Sequence, residues 1–290
     1  MRIRATVAVV SGALALSALA IPASQASQAS PSRGDFPVSD RYGFSAEQRA
    51  GLPKAGQRSL AAKAAVPVIS KIVINGGKPI VVGTTNSKKV AISVTATDDS
   101  GIDGFSTIIW RGTSPENPIY AFYQNEKSAT CKAAGATTST CSLTVTVPSE
   151  ELINEDATTW KVGAWVTSKD GEDTKVDAFG TVKIQRASQL TVNAAPEPVK
   201  KNGTVTVTGK LSRANWDTGK YAGYSTQSVI LQFRKKTSTA YTNVKGVKTS
   251  TTGTLKTTTK ATVDGYYRWS FVGTATTPAI NVAGDYVDVK

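Results

Sequence analysis

The sequence predicts an all-β fold: two tandem antiparallel β-sandwiches that follow a signal peptide and a flexible leader. Three observations predict it. Apolar and polar residues alternate in short runs, turn-forming residues separate those runs, and no helical period is sustained for more than a turn or two. Length sets the number of sandwiches, because 290 residues, less a leader, hold two domains at roughly 100 to 200 residues each. The expected divisions are a signal peptide at 1–26, a leader at 27–65, a first sandwich at 66–187 and a basic second sandwich at 188–290.

The signal peptide begins with Arg2 and Arg4, which precede an apolar or small stretch from Ala5 to Ala20 that Ile21-Pro22 interrupts. A positive flank followed by such a stretch is an export signal. Small residues at the −3 and −1 positions permit cleavage after Ala20, Ala26 or Ala29. Pro22 ends the helical stretch a few residues before Ala26 and favours that site. The run is shorter than the roughly 20 apolar residues that span a bilayer, and no cysteine follows it to carry a lipid. The expected address is therefore extracellular, without a transmembrane anchor in the mature chain and with retention at the cell wall as one outcome. The leader is rich in Ser, Ala, Gly, Gln and Arg and has no sustained period beyond a short helical possibility at Ser45 to Ala50.

In the first sandwich Val90, Ile92, Val94 and Ala96 alternate with Ala91, Ser93, Thr95 and Thr97. Leu143, Val145 and Val147 interleave with Ser142, Thr144 and Thr146, and Trp160, Val162, Ala164 and Val166 with Lys161, Gly163, Trp165 and Thr167. In the second, Val205, Val207 and Leu211 stand against Thr204, Thr206, Thr208 and Lys210. Val229, Leu231 and Phe233 follow, then Tyr267, Trp269 and Phe271. Each run offers one face to a core. The break between sandwiches falls at Arg186 to Ser188.

Export explains the cysteines. Cys131 and Cys141 are the only two, and an even count in an oxidising compartment predicts a disulfide. A loop of this size stabilises by roughly 2 to 3 kcal/mol in the chain-entropy account, so the bridge staples a hairpin and does not create the fold. A closed zinc site is the competing reading, and two thiols without any histidine do not supply its ligands.

The lack of histidine also removes Ser-His, Cys-His and His-metal catalysis. Paired carboxylates remain for glycoside hydrolysis, at Asp98, Asp99 and Asp103 and at Glu150, Glu151, Glu155 and Asp156. Both groups sit in turn contexts and read as solvated turn residues rather than as the walls of a pocket. The expectation is a protein that is not an enzyme and needs no cofactor.

Five stretches carry a resemblance. Thr95-Ala-Thr-Asp-Asp-Ser-Gly-Ile102 and Val166-Thr-Ser-Lys-Asp-Gly-Glu-Asp-Thr174 resemble the opening and closing turns of bacterial immunoglobulin-like or cadherin-like repeats. Pro196 to Leu211, Gln227 to Arg234 and Gly265 to Phe271 are similar to the immunoglobulin-like modules of proteins secreted by high-GC Gram-positive bacteria. The resemblance implies the sandwich fold and an exported spacer, adhesive or carbohydrate-associated role, with no catalytic residues to carry over. Asp264-Gly-Tyr-Tyr267 resembles the tyrosine corner of such domains. Trp269 stands where antibody-type domains place their second cysteine, so packing replaces a bridge there.

Charge is uneven. Residues 66–187 hold 12 basic and 13 acidic side chains, whereas residues 188–290 hold 14 basic and 5 acidic, a net +9. Lys200, Lys201, Lys210, Arg213, Lys220, Arg234, Lys235, Lys236, Lys245 and Lys248 are expected to attract an anionic cell-wall polymer or polysaccharide. Against that stands the simpler use of lysines to solubilise the surface and guard strand edges. Specific nucleic-acid binding is not expected, since no nucleic-acid module is present.

Sugar stacking is the competing binding mode. Trp165 is out of phase with its buried neighbours and faces outward, and Trp216, Tyr221 and Tyr224 crowd one glycine-flanked loop. Such loop aromatics also fold back to cap a core. A secreted inhibitor is a third role, because inhibitory loops have no general signature. Finally, Asp98, Asp99 and Asp103 with Asp170 and Asp173 are calcium candidates if their turns meet at one end of the sandwich, as in cadherin-like domains. No EF-hand spacing is present, and Asp as a turn former accounts for these positions.

Overall fold

A computed structural model describes residues 65–290; the signal peptide and nearly all of the leader lie outside the described residues. Among those residues no helix is long and apolar enough to cross a membrane, and the helical content is confined to short 3-10 turns.

The first sandwich contains β1 (Val68–Ile74), β2 (Ile80–Val82), β3 (Lys88–Thr97), β4 (Ile102–Arg111), β5 (Tyr120–Tyr123), β6 (Thr130–Ala133), β7 (Thr138–Val147), β8 (Thr159–Ser168) and β9 (Asp173–Arg186). One sheet has the order β1-β3-β7-β6 and the other β2-β9-β8-β4-β5. All pairings are antiparallel except that of β2 with β9. The alternation in the sequence produces this layering. Val90, Ile92, Val94 and Ala96 of β3 and Cys141, Leu143, Val145 and Val147 of β7 are buried against Trp160, Val162, Ala164 and Val166 of β8. Trp160 stacks on Phe122 with ring centroids 5.2 Å apart. Cys131 and Cys141 are register partners on β6 and β7, and they form the disulfide.

The second sandwich contains β10 (Ser188–Ala195), β11 (Thr204–Asn215), β12 (Lys220–Gly223), β13 (Ser228–Lys235), β14 (Thr242–Lys248), β15 (Thr254–Lys260), β16 (Gly265–Phe271), β17 (Ile280–Asn281) and β18 (Asp285–Val287). In one sheet β11 pairs with β10, β12 and β15; the other runs β14-β13-β16-β17, with β18 also on β16. Trp269 is fully buried in the core. Its indole nitrogen donates to the Thr208 carbonyl of the opposite sheet at 3.0 Å, so one side chain ties the two layers together.

Only Ala187 separates β9 from β10. Its N–H donates to Val82 at 2.9 Å, and its carbonyl accepts from Ala214 at 2.8 Å. The end of β11 and the loop after it then reach back across the break. Ala214 and Trp216 belong to the hydrophobic core of the first sandwich, and the Trp216 indole donates to the Gly83 carbonyl at 2.8 Å. Asn154 receives the Trp216 N–H at 3.0 Å and donates its own N–H to Asp217 at 2.9 Å. Gln185 donates to the carbonyls of Thr274 and Ala275. Arg186 is buried here, and that burial, with the neighbouring Arg213 charge, pulls its guanidinium down to about 10.

Candidate functional site

Three surfaces gather the residues singled out in the sequence, and each follows from strand register. The first is the outer face of the five-stranded sheet of the first sandwich. Ser106 pairs with Trp165 and Ile108 with Gly163 between β4 and β8. Tyr123 lies opposite Ile108 on β5, and Lys175 lies opposite Trp165 on β9. These residues, with Pro115 and Glu116 from the loop after β4, line a groove of about 240 Å³. Gly163 forms its floor, beside a register shift between β8 and β9. A Cβ there would lie 2.9 Å from Ile108 Cγ2 and 3.1 Å from the Asp177 carbonyl, so only glycine lets the sheet surface dip. Trp165 is half-buried on this face, its indole donating to Asp173 at 3.0 Å.

Lys175 forms the rim by reaching Glu116 at 2.5 Å and Asp177 at 3.3 Å. Hydrogen bonds from Lys175 and Ser114 hold the Glu116 carboxyl down at about 2, against an ordinary 4.5. A carboxylate depressed on folding stabilises the folded loop above its unfolded-state pKa and loses that contribution as pH falls through the folded value. Carbon NMR of the Glu116 carboxyl is therefore expected to give a midpoint near 2. A midpoint above 4 would mean that the pair does not hold the loop in solution.

The second surface is the acidic end of the same sandwich. Carboxylate oxygens of Asp98, Asp99 and Asp170 lie within 4.8 Å of one another. Asp103 and Asp173, expected among them, stand apart; Asp173 receives the Trp165 indole instead. In the other acidic group Asp156 departs from its reading as a solvated turn residue. It is 0% exposed, accepts the Ile153 N–H at 2.9 Å and lies 3.3 Å from the Arg111 guanidinium. Glu151 accepts the Tyr120 hydroxyl at 2.6 Å. These acids cap a turn and fill an ion pair, which differs from two carboxylates facing each other across a substrate cleft.

The third surface is the outer face of the second sandwich's five-stranded sheet. Arg234 is opposite Tyr266 and Gln232 is opposite Arg268 across β13 and β16, while Tyr266 is opposite Tyr286 on β18. Cations and rings consequently interleave. The Arg268 guanidinium lies 3.7 Å from the Tyr241 ring centroid, and that of Arg234 lies 4.0 Å from Tyr266 and 5.3 Å from Tyr241. Tyr266 and Tyr286 are 5.2 Å apart, with the Lys236 ammonium 5.4 Å from Tyr286. Arg268 also donates to Gln232 at 2.9 Å, and Arg234 to the Ser238 carbonyl at 2.7 Å.

The ten basic residues named from the sequence do not form one field. Arg234 and Lys236 lie on this face, whereas Lys235 alternates with Arg234 on β13, Lys210 is on the opposite sheet and Lys245 and Lys248 are on the edge strand β14. Lys200 and Lys201 occupy the turn between β10 and β11, and Lys220 begins β12. Arg213 stacks on Tyr224 at 3.9 Å and belongs to the junction. The loop aromatics are corrected in the same way: Trp216, at 6% exposure, and Tyr224 are buried, and Tyr221 packs on the first core. Trp216 and Tyr221 reach the first core and Tyr224 belongs to the second, so neither Trp216 nor Tyr224 presents a free ring to a sugar. Tyr241, Tyr266, Arg268 and Tyr286 were missed. The alternation Tyr266, Arg268, Ser270 against Tyr267, Trp269, Phe271 was the available signal for the outer face of β16.

Residues 81–166 match a protein-family model described as a family of unknown function (DUF5707). No curated protein matches the chain. Among solved structures, the fibronectin(III)-like modules of Clostridium thermocellum CbhA share 9% identity at a TM-score of 0.32, over 76% of this chain and 93% of that one. The D00-D0 domain of Intimin shares 16% identity at 0.24, over 75% and 99%. The Yersinia pseudotuberculosis adhesin InvE shares 12% at 0.25, over 76% and 60%. At these values the likenesses add nothing to the fold that the sheets themselves define.

Proposed function

We propose that the chain is an exported, non-catalytic two-domain immunoglobulin-like binding protein, retained at a bacterial cell envelope by an anionic polymer that lies on the outer face of its second sandwich. The interleaved Arg268, Tyr241, Arg234, Tyr266, Tyr286 and Lys236 carry this reading. A guanidinium laid on a ring has lost part of its rotamer freedom before any ligand arrives, and its planar fork matches the oxygens of a phosphate or carboxylate. The rings add flat area for the sugar or alkyl segments between charges. The disulfide agrees with an oxidising compartment, and the surplus of cations in this sandwich supplies long-range attraction.

Co-sedimentation of the mature protein with bacterial cell walls tests the proposal. Pelleting is expected at low salt and release at high salt, because screening shortens the reach of exposed charges to roughly 3 Å at 1 M. Arg234→Gln with Arg268→Gln is expected to reduce wall affinity about tenfold or more, while Lys210→Gln on the opposite sheet changes it less than threefold. Retention that ignores both salt and the double substitution would sink the reading. A second reading rests on the groove beside Trp165, whose fixed indole and polar rim suit one sugar ring. Salt-resistant pelleting with one polysaccharide, competed by soluble sugar and lost in Trp165→Ala, would favour it.

A further inference from the structure

At the break between the sandwiches lies a buried charge without a counter-charge. Arg186, the last residue of β9, is 7% exposed. Its Nε donates to the Ala214 carbonyl at 2.5 Å, and among the described residues its two terminal nitrogens hold no hydrogen bond. No carboxylate among those residues forms an ion pair with Arg186 or with Arg213. Asp217, the acid whose charge acts on Arg186, is committed elsewhere: it accepts the Asn154 N–H at 2.9 Å and the Asn154 side-chain amide. An arginine buried this far is rarely left unpaired, because the hydration it gives up has to be replaced by acceptors or by an opposite charge.

Arg213 brings a second cation to the same place, and two contacts interlock it with Arg186. Ala214, whose carbonyl holds the Arg186 Nε, follows Arg213 on β11. Thr276 accepts the Arg186 N–H on its carbonyl at 2.9 Å and Arg213 Nη1 on its hydroxyl at 3.5 Å. The Arg213 charge accordingly adds to burial in pulling the Arg186 guanidinium down. Stacking on Tyr224, at 3.9 Å from the ring centroid, holds Arg213 beside its neighbour. Hydroxyls continue the group: that of Tyr224 is 3.4 Å from Thr274 Oγ1, which is 3.3 Å from Thr276 Oγ1. Thr274 is exposed and Thr276 half-buried, so the group opens to solvent along this turn. Two like charges held together with unfilled donors are unfavourable, and an anion shared between them removes the repulsion and fills the donors at once.

We propose that Arg186 and Arg213, with the hydroxyls of Thr274 and Thr276, bind a phosphate group at the junction of the two sandwiches. A carboxylate fills its two oxygens with a single guanidinium fork, whereas a phosphate group has oxygens for both arginines and for the hydroxyls. Such a ligand ties the end of β9 to β11 and to the Thr274–Thr277 turn, so it stiffens the junction between the domains. The site is separate from the outer face that carries Arg234 and Arg268, and it does not rest on envelope retention. Because Arg186 is buried, the ligand that reaches it is small: a free phosphate ion or the phosphoryl end of a larger molecule.

Isothermal titration of the mature protein with inorganic phosphate at constant ionic strength tests the site. One saturable event with a Kd on the order of 1 mM or tighter is expected, together with a raised melting temperature. The titration is repeated with Arg234→Gln and Arg268→Gln in place, where the outer face has lost its guanidiniums, and the event must persist. Arg186→Lys keeps the charge but loses the fork, and is expected to weaken binding about tenfold or more. Because Arg186 is buried, the half-buried Arg213→Gln serves as the second test, with circular dichroism to show that the fold persists; it too must lose about tenfold. Lys210→Gln, on the same strand as Arg213, leaves the affinity unchanged. Glycerol phosphate titrated in parallel identifies the source: tighter binding than the free ion marks a phosphoryl end group, and equal or weaker binding marks the ion itself. Absence of saturation by about 10 mM phosphate, equal affinity in the folded arginine variants, loss of the event in the outer-face background, or an equal response to acetate would each overturn the assignment.

Discussion

Trp216→Ala is expected to destabilise the first sandwich, although the residue belongs to the chain of the second. The indole is buried among first-sandwich side chains, and its nitrogen satisfies the Gly83 carbonyl at 2.8 Å. Removing a buried Trp side chain costs about 3 to 5 kcal/mol in transfer and cavity terms, and the abandoned carbonyl is part of that loss unless water enters. The substitution also removes a large apolar link across the break, leaving the Asn154 contacts with Trp216 and Asp217, the Gln185 and Arg186 bonds, the packing of Ala214 and Tyr221 and the backbone bonds around Ala187 to hold the domains. Hydrogen exchange should show lost protection in β2, next to the carbonyl that receives the plug, with β16 much less affected. NMR relaxation should show the two sandwiches beginning to tumble apart. Unchanged protection in β2 would refute the assignment of Trp216 to the first core. The same logic predicts that a fragment ending at Ala187 is less stable than the first sandwich within the whole chain.

This plug also marks where sequence reading stopped. The buried faces of β3, β7, β8, β11 and β16 were legible, because a period of two sorts side chains by face without knowledge of partners. Trp165 was legible for the same reason, through its phase relative to Trp160 and Val166. Trp216 was not. It follows the last apolar position of β11, and its receiving carbonyl is 133 residues earlier, a separation across which no local pattern carries information. Asp156 shows the same limit: it ends the short acidic turn Asn154–Asp156, and nothing nearby identifies Arg111, 45 positions upstream, as its partner. The cation and ring alternation of the second sandwich falls between these cases. Tyr266 and Arg268 were visible as the outward phase of β16, but Tyr241 comes from a turn, and only the pairing of β13 with β14 and β16 brings it over Arg268.

Trp269→Ala is expected to cost the second sandwich about 3 to 5 kcal/mol and to propagate to the first. The side chain is 0% exposed and bridges the layers through its bond to the Thr208 carbonyl at 3.0 Å. The opposite sheet is shaped to admit it: a Cβ on Gly209 would lie 2.7 Å from Trp269 Cδ1 and Nε1 and 2.3 Å from the Thr191 carbonyl. The ring therefore occupies space that this strand leaves open by having glycine there, and neighbouring side chains cannot collapse into the void without moving backbone. That places the loss toward the upper part of the range. Gly209→Ala tests the same fit from the other side, and overpacking predicts a loss of about 1 to 3 kcal/mol or more. The two tryptophan variants should also differ in order of unfolding. In Trp269→Ala the second sandwich opens first and withdraws Trp216 as it does, so the first is weakened in turn. In Trp216→Ala the first sandwich loses its plug while the second keeps its own core. Urea unfolding followed by exchange-resolved mass spectrometry distinguishes these sequences, and the reverse order in either variant would contradict the coupling through Trp216.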